Sequence, residues 1–172
     1  MGTATTIYQA KDHSAIAVSA GHVFSDPYHA AFLNPPGLSK HIQAEVLYAT
    51  RNPDVAILRY NPGRRVAVAP LGVARDGDEY AVRGFAYGRQ ITTKYVGRIK
   101  DTREAFSAVS GTYFARLETP VAQGVSGAGV IVGGHTVAVV SAADHEETVA
   151  VPARVVYEVA QRRNIWLGSG ST

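Results

Sequence analysis

With 172 residues, 46% of them apolar and 18% charged, the chain is long enough to bury a sizeable core and too apolar to be a disordered tail. The absence of cysteine excludes a disulfide framework and any cysteine-based nucleophile or metal site. The formal charge of +3 is mild, and Arg64-Arg65 and Arg162-Arg163 are isolated pairs rather than a basic stripe, so no nucleic-acid partner is expected.

In chain order, strands dominate. Met1 followed by Gly2-Thr3 reads as an added start, without the charged and hydrophobic regions of a signal peptide. If the protein is exported, its signal has been removed or lies upstream. Candidate strands follow at 4–9, 15–19, 42–49, 55–60, 79–85, 92–100, 112–117, 130–132 and 136–141. Most are short. Glycine, proline, Asn or Asp cluster between them, as in Asn34-Pro35-Pro36-Gly37 and Asn61-Pro62-Gly63. That spacing predicts an all-β barrel or sandwich. One helix is predicted over 153–163, with Val155, Val156, Val159 and Ala160 on one face and Arg154, Glu158 and Arg162 turned outward. No apolar stretch is long enough to span a membrane. Residues 168–172 read as a flexible tail.

Three short stretches carry chemistry. Ser19-Ala20-Gly21-His22-Val23 sets a histidine where an apolar run, Ala15 to Val18, leaves the core. Histidine, with an ordinary pKa of about 6.5, accepts and returns a proton near neutrality. Asp54 precedes the buried run Val55-Ala56-Ile57-Leu58, where a carboxylate is costly unless something hydrogen-bonds it. His22 is the natural partner. In Gly124-Val125-Ser126-Gly127, the glycines permit a tight turn that aims the N–H groups of Gly124 and Ser126 at one point, as an oxyanion hole requires. Singly, each is ordinary: a surface histidine, a turn aspartate, a serine among glycines. Together and in this order they supply a base, an orienting carboxylate and a nucleophile.

These pieces resemble the trypsin-like (chymotrypsin-fold) serine peptidases, most closely the HtrA-type branch, over roughly residues 2–164. Ser19 to Val23 is similar to the family's Thr-Ala-Ala-His-Val, with Gly21 in place of an alanine. Asp54 to Leu58 resembles Asp-Leu-Ala-Leu-Leu, and Tyr80 to Gly88 resembles the turn Val-Gly-Tyr-Pro-Leu-Gly. Ile91-Thr92-Thr93 with Val96 to Ile99 follows the family's next strand, and Thr148 to Pro152 its entry into a terminal helix. The resemblance implies two six-stranded-type antiparallel β-barrels with a C-terminal helix, all within one peptidase domain of residues 1–167. The first barrel would span about 1–65, the second about 70–152, and the helix 153–163. No PDZ domain is present in such an arrangement. His22, Asp54 and Ser126 would meet in the cleft between the barrels and hydrolyse a polypeptide substrate through an acyl-enzyme, with no cofactor and no metal. Ser141 would hydrogen-bond Asp54. The pocket for the residue before the scissile bond would be walled by Pro120, Val121 and Ala122, and by Ser141, Ala142 and Ala143. Its small and apolar lining implies an apolar or small residue there; Glu118 reaching in would instead favour a basic one.

The chain departs from the family's usual Gly-Asp-Ser-Gly-Gly-Pro at Val125, Ala128 and Gly129. Val125 cannot accept a salt bridge from a freed N-terminus, so activation by that route is not expected. Little sequence precedes Thr3, where the family often has another strand; the first barrel is abbreviated or the chain is cut from a longer precursor. Gly124 to Ala128 also approximates the nucleophile elbow of α/β-hydrolases, but that motif needs a following helix. Here Val130-Ile131-Val132, Gly133-Gly134 and Thr136 to Val140 read as a hairpin. Three alternatives remain at this level: a self-processing, viral or phage-like peptidase of narrow specificity, an inactive binding module on the same fold, and a metal site of His22, His29 and His41. The last lacks one-face helical spacing.

Overall fold

The computed structural model describes residues 2–24, 30–34, 41–89, 91–106 and 113–168. Five strands form the N-terminal unit: β1 (Thr5–Gln9), β2 (Ala15–Ser19), β3 (Ala30–Leu33), β4 (Ile42–Arg51) and β5 (Asp54–Tyr60). They pair antiparallel in the order β1-β2-β5-β4-β3. β2 and β5 lie inside the sheet and are buried along nearly their whole length, which is why both read as continuous apolar runs rather than alternating ones.

Six further strands close into a barrel: β6 (Glu79–Gly84), β7 (Thr93–Phe106), β8 (Tyr113–Leu117), β9 (Gly129–Val132), β10 (His135–Ala143) and β11 (Thr148–Pro152). Around it the order is β10-β11-β8-β7-β6-β9. β6 shows the period of two expected of a half-buried strand, with Tyr80 and Val82 turned inward. The chain ends in helix α1 (Ala153–Arg162).

The all-β class and the terminal helix are as the sequence predicts. The C-terminal unit is a closed six-stranded barrel, whereas the N-terminal one has five strands among the described residues, with β1 and β3 at its edges. Two strands go beyond the sequence reading. β3 is a four-residue edge strand, and β11, read as a lead-in to the helix, is a full member of the barrel. Thr112, the turn at Pro35 to Gly37, His29 and the tail from 169 to 172 lie outside the described residues.

Two apolar clusters matter for function. One lies inside the barrel and includes Tyr80, Val82, Ile99, Leu117, Val130 and Val140. The other is shared: Ile7, Ile16, Val18, Val55 and Ile57 of the first sheet pack with Val139 and Val151 of the barrel and with Val156, Val159 and Ala160 of α1. The helix therefore seals the junction of the two units as well as the barrel. The connection between them is stitched down too. The Ala69 N–H donates to the Thr6 carbonyl (3.0 Å), and the Thr136 N–H donates to the Pro70 carbonyl (2.8 Å). Ile57 is fully buried in the shared core, so Ile57→Ala is expected to lower stability by about 2–5 kcal/mol in urea denaturation.

Candidate active site

After β2 the chain passes through Ala20 into a single 3-10 turn, Gly21–Val23. This turn carries His22 out of the core, leaving its side chain 40% exposed. Asp54 begins β5 and its side chain is only 9% exposed. A carboxylate so placed needs donors, and it has three. Its Oδ2 accepts from His22 Nδ1 at 2.7 Å and from the Ser141 hydroxyl at 2.6 Å, and its Oδ1 accepts from the His22 backbone N–H at 2.8 Å. Burial pushes the carboxyl up, but the bonds from the His22 ring, the Ser141 hydroxyl and the His22 N–H together hold it below the ordinary aspartate value. With Nδ1–H directed at Asp54, a neutral His22 keeps its lone pair on Nε2.

Ser126 lies in the turn between the end of β8 and β9. Gly124 and Gly127 there have φ of +96° and +93°. A side chain is excluded at both: a Cβ on Gly127 would sit 2.1 Å from the Thr3 carbonyl oxygen, and one on Gly124 would sit 2.5 Å from that of Phe85. Val125 points the other way and is fully buried in the barrel core. The Val125 N–H donates to the Ala122 carbonyl (3.3 Å), the Gly127 N–H to Val140 (2.8 Å) and the Ala128 N–H to Val125 (3.0 Å). Among the described residues no acceptor meets the N–H of Gly124 or of Ser126.

The Ser126 hydroxyl donates to the Ser141 carbonyl at 3.3 Å, not to His22. Ser141 therefore touches both halves, its carbonyl holding Ser126 and its hydroxyl holding Asp54. Ser126, Ser141, Asp54 and His22 form one hydrogen-bonded series drawn from both units.

The remaining predicted positions lie on the loop before Ser126 and at the end of β10. Pro120, Val121 and Ala122 are half-buried in the loop before the turn that bears Ser126. That loop is fixed by two tyrosine hydroxyls absent from the sequence reading: Tyr80 accepts from the Thr119 N–H (3.0 Å) and Tyr95 from the Ala122 N–H (3.3 Å). Ala142 and Ala143 are exposed at the end of β10, and Glu118 is exposed where β8 ends. His41 is exposed, and no group of three His, Cys, Asp or Glu able to hold a metal occurs among the described residues. Concave surfaces among the described residues lie elsewhere. One, of about 460 Å³, is lined by Gln43, Arg59 and Tyr60; another, of about 230 Å³, by Ile99, Leu117 and Val137. No helix among the described residues is long and apolar enough to cross a membrane.

No family model and no curated protein matches the sequence. Solved structures do match. The HtrA-type protease AlgW with decapeptide superposes with a TM-score of 0.77 at 16% identity, over 92% of this chain and 50% of that one. The serine endoprotease from Yersinia pestis gives 0.71 at 16% identity, over 92% and 56%. This chain thus spans about half the length of the structures it matches. At that identity the likeness is one of fold: almost the whole chain adopts the trypsin-like fold found in HtrA-type proteases.

Asp54 also makes a testable link to acid stability. Its native pKa lies below its unfolded one, so the stability it contributes is complete above about pH 4 and is lost as pH falls through the native value. Asp54→Asn is expected to flatten that part of an acid-denaturation curve. Ser141→Ala removes one donor and should move it to higher pH, read alongside by NMR titration of the carboxyl.

Proposed function

We propose that this chain is a serine endopeptidase. The observation that carries the reading is the buried Asp54 carboxylate, which binds the His22 ring through Nδ1 and, through Ser141, is joined to Ser126. Ser126 Oγ attacks a peptide carbonyl carbon while His22 Nε2 takes the hydroxyl proton. Asp54 keeps the ring in the required tautomer and stabilises the imidazolium that forms. The negative charge on the carbonyl oxygen is met by the N–H groups of Gly124 and Ser126. His22 then hands its proton to the departing amine, and water repeats the sequence on the acyl-enzyme to release the acid.

The substrate is a polypeptide, in keeping with the fold shared with a protease solved with a decapeptide. The residue before the scissile bond is apolar or small, since the flanking loop offers Pro120, Val121 and Ala122, with Ala142 and Ala143 at the end of β10. Glu118 is exposed beyond that loop, so a basic residue is the less favoured choice.

One observation favours a second reading, an inactive binding module: the Ser126 hydroxyl rests on Ser141 rather than on His22. Intact mass after incubation with a fluorophosphonate separates the two. A single adduct, lost in Ser126→Ala and in His22→Ala, is expected of the peptidase. No adduct on the folded chain favours the binding module. In the peptidase, Asp54→Asn should lower kcat on peptide substrates by about 10⁴-fold while leaving the fold intact.

A further inference from the structure

Thr3 lies far from the nucleophile in sequence, yet it is only 4% exposed and every polar atom it carries is used. Its hydroxyl donates to the Gly124 carbonyl (3.0 Å) and accepts from the Phe85 N–H (3.0 Å). Its N–H donates to the Ser126 carbonyl (2.9 Å), and its carbonyl accepts from the Ser19 hydroxyl (2.8 Å). Two of these four bonds go to the carbonyls of Gly124 and Ser126, the residues whose N–H groups meet no acceptor among the described residues.

Peptide units are planar, so a turn is fixed when each successive plane is fixed. Four planes run from Gln123 to Gly127. The Gln123 carbonyl accepts from the Tyr87 N–H (2.6 Å) and the Val125 carbonyl from the Ala128 N–H (3.0 Å). The two alternate planes, beginning at Gly124 and Ser126, have their carbonyls held by Thr3. Gly124 is the residue least able to hold its own angles, because glycine moves freely between regions of φ and ψ. The segment is also wedged in place: a Cβ on Gly2 would sit 2.9 Å from the Ser126 carbonyl oxygen and 2.7 Å from Val23, the residue after His22.

We propose that Thr3 is a positioning residue for the nucleophile turn, holding the two peptide planes that flank those carrying the Gly124 and Ser126 N–H donors; its catalytic consequence rests on the serine-peptidase reading. Where a trypsin-like turn with an acidic residue can be held by an ion pair, Val125 has no charge to offer. A neutral hydroxyl and a backbone N–H from Thr3 hold this turn from outside instead.

The test compares Thr3→Val, which removes the hydroxyl but keeps shape and backbone bonds, with Thr3→Ser, which keeps it. Thr3→Val leaves the Gly124 carbonyl and the Phe85 N–H unpaired. Fluorophosphonate labelling of Ser126 and kcat should fall roughly ten- to hundredfold, with KM little changed. Thr3→Ser should restore both. Amide hydrogen exchange gives a readout independent of activity: the Val125 and Gly127 N–H groups should exchange at least about tenfold faster in Thr3→Val and recover in Thr3→Ser. Unchanged labelling and exchange in folded Thr3→Val, or a Thr3→Ser chain as impaired as Thr3→Val, overturns the proposal. If the unsubstituted chain takes no label, the peptidase reading falls, and exchange alone decides whether Thr3 holds the turn. Should Thr3→Val not fold, Ser19→Ala, which frees the Thr3 carbonyl, is read the same way: faster exchange at Val125 and Gly127 supports the proposal and unchanged exchange overturns it.

Discussion

A carboxylate kept out of water is the constraint from which the rest of the site follows. Asp54 stays charged because three donors converge on it, and those donors come from different parts of the fold: the His22 ring and N–H from the turn after β2, the hydroxyl of Ser141 from β10. Neither unit alone satisfies it. An uncompensated buried charge is among the costlier defects a fold can carry, so the first sheet and the barrel are committed to one relative placement. That placement also brings Ser126 to the carbonyl of Ser141. The electrostatic requirement of one side chain and the assembly of the site are thus the same geometrical condition.

The turn bearing Ser126 is secured by different means on its two sides. Inward, Val125 is sunk in the barrel core and contributes dispersion and burial but no direction. Outward, directional bonds from Thr3, Tyr87 and Val140 set the planes. Behind it, the hydroxyls of Tyr80 and Tyr95 hold the preceding loop. A buried valine at this position suits a turn whose geometry comes from neutral groups, since burying an acid there would demand a buried cation, and none occurs among the described residues.

Much of this is legible from the chain alone, and the legible part has a physical signature. His22, Asp54 and Ser126 each interrupt an apolar or glycine-rich run, and such interruptions stand out. β2 and β5 are visible because burial on both faces writes an unbroken apolar run. β3 is not: four residues at a sheet edge carry too little pattern to register. β11 ends at Pro152 directly before the helix, and its five residues read as an approach to that helix rather than as a strand. Thr3 is the clearest omission. It sits in a segment that reads as an added start, and its hydroxyl partners lie 82 and 121 residues along the chain. No local periodicity encodes a contact at that range. The tyrosine hydroxyls on the loop before Ser126 are hidden for the same reason.

The shared core has a consequence for how the chain can be divided. Residues from β1, β2 and β5 meet β10, β11 and the terminal helix in one apolar cluster, so pulling the two sides apart after a cut in the connection behind β5 would strip solvent protection from both at once. The barrel would lose the cover over Val139 and Val151, and the first sheet would expose Ile7, Val18 and Ile57. Two pieces of that kind are not independent building blocks. They are complementary fragments, each covering the apolar face that the other would expose.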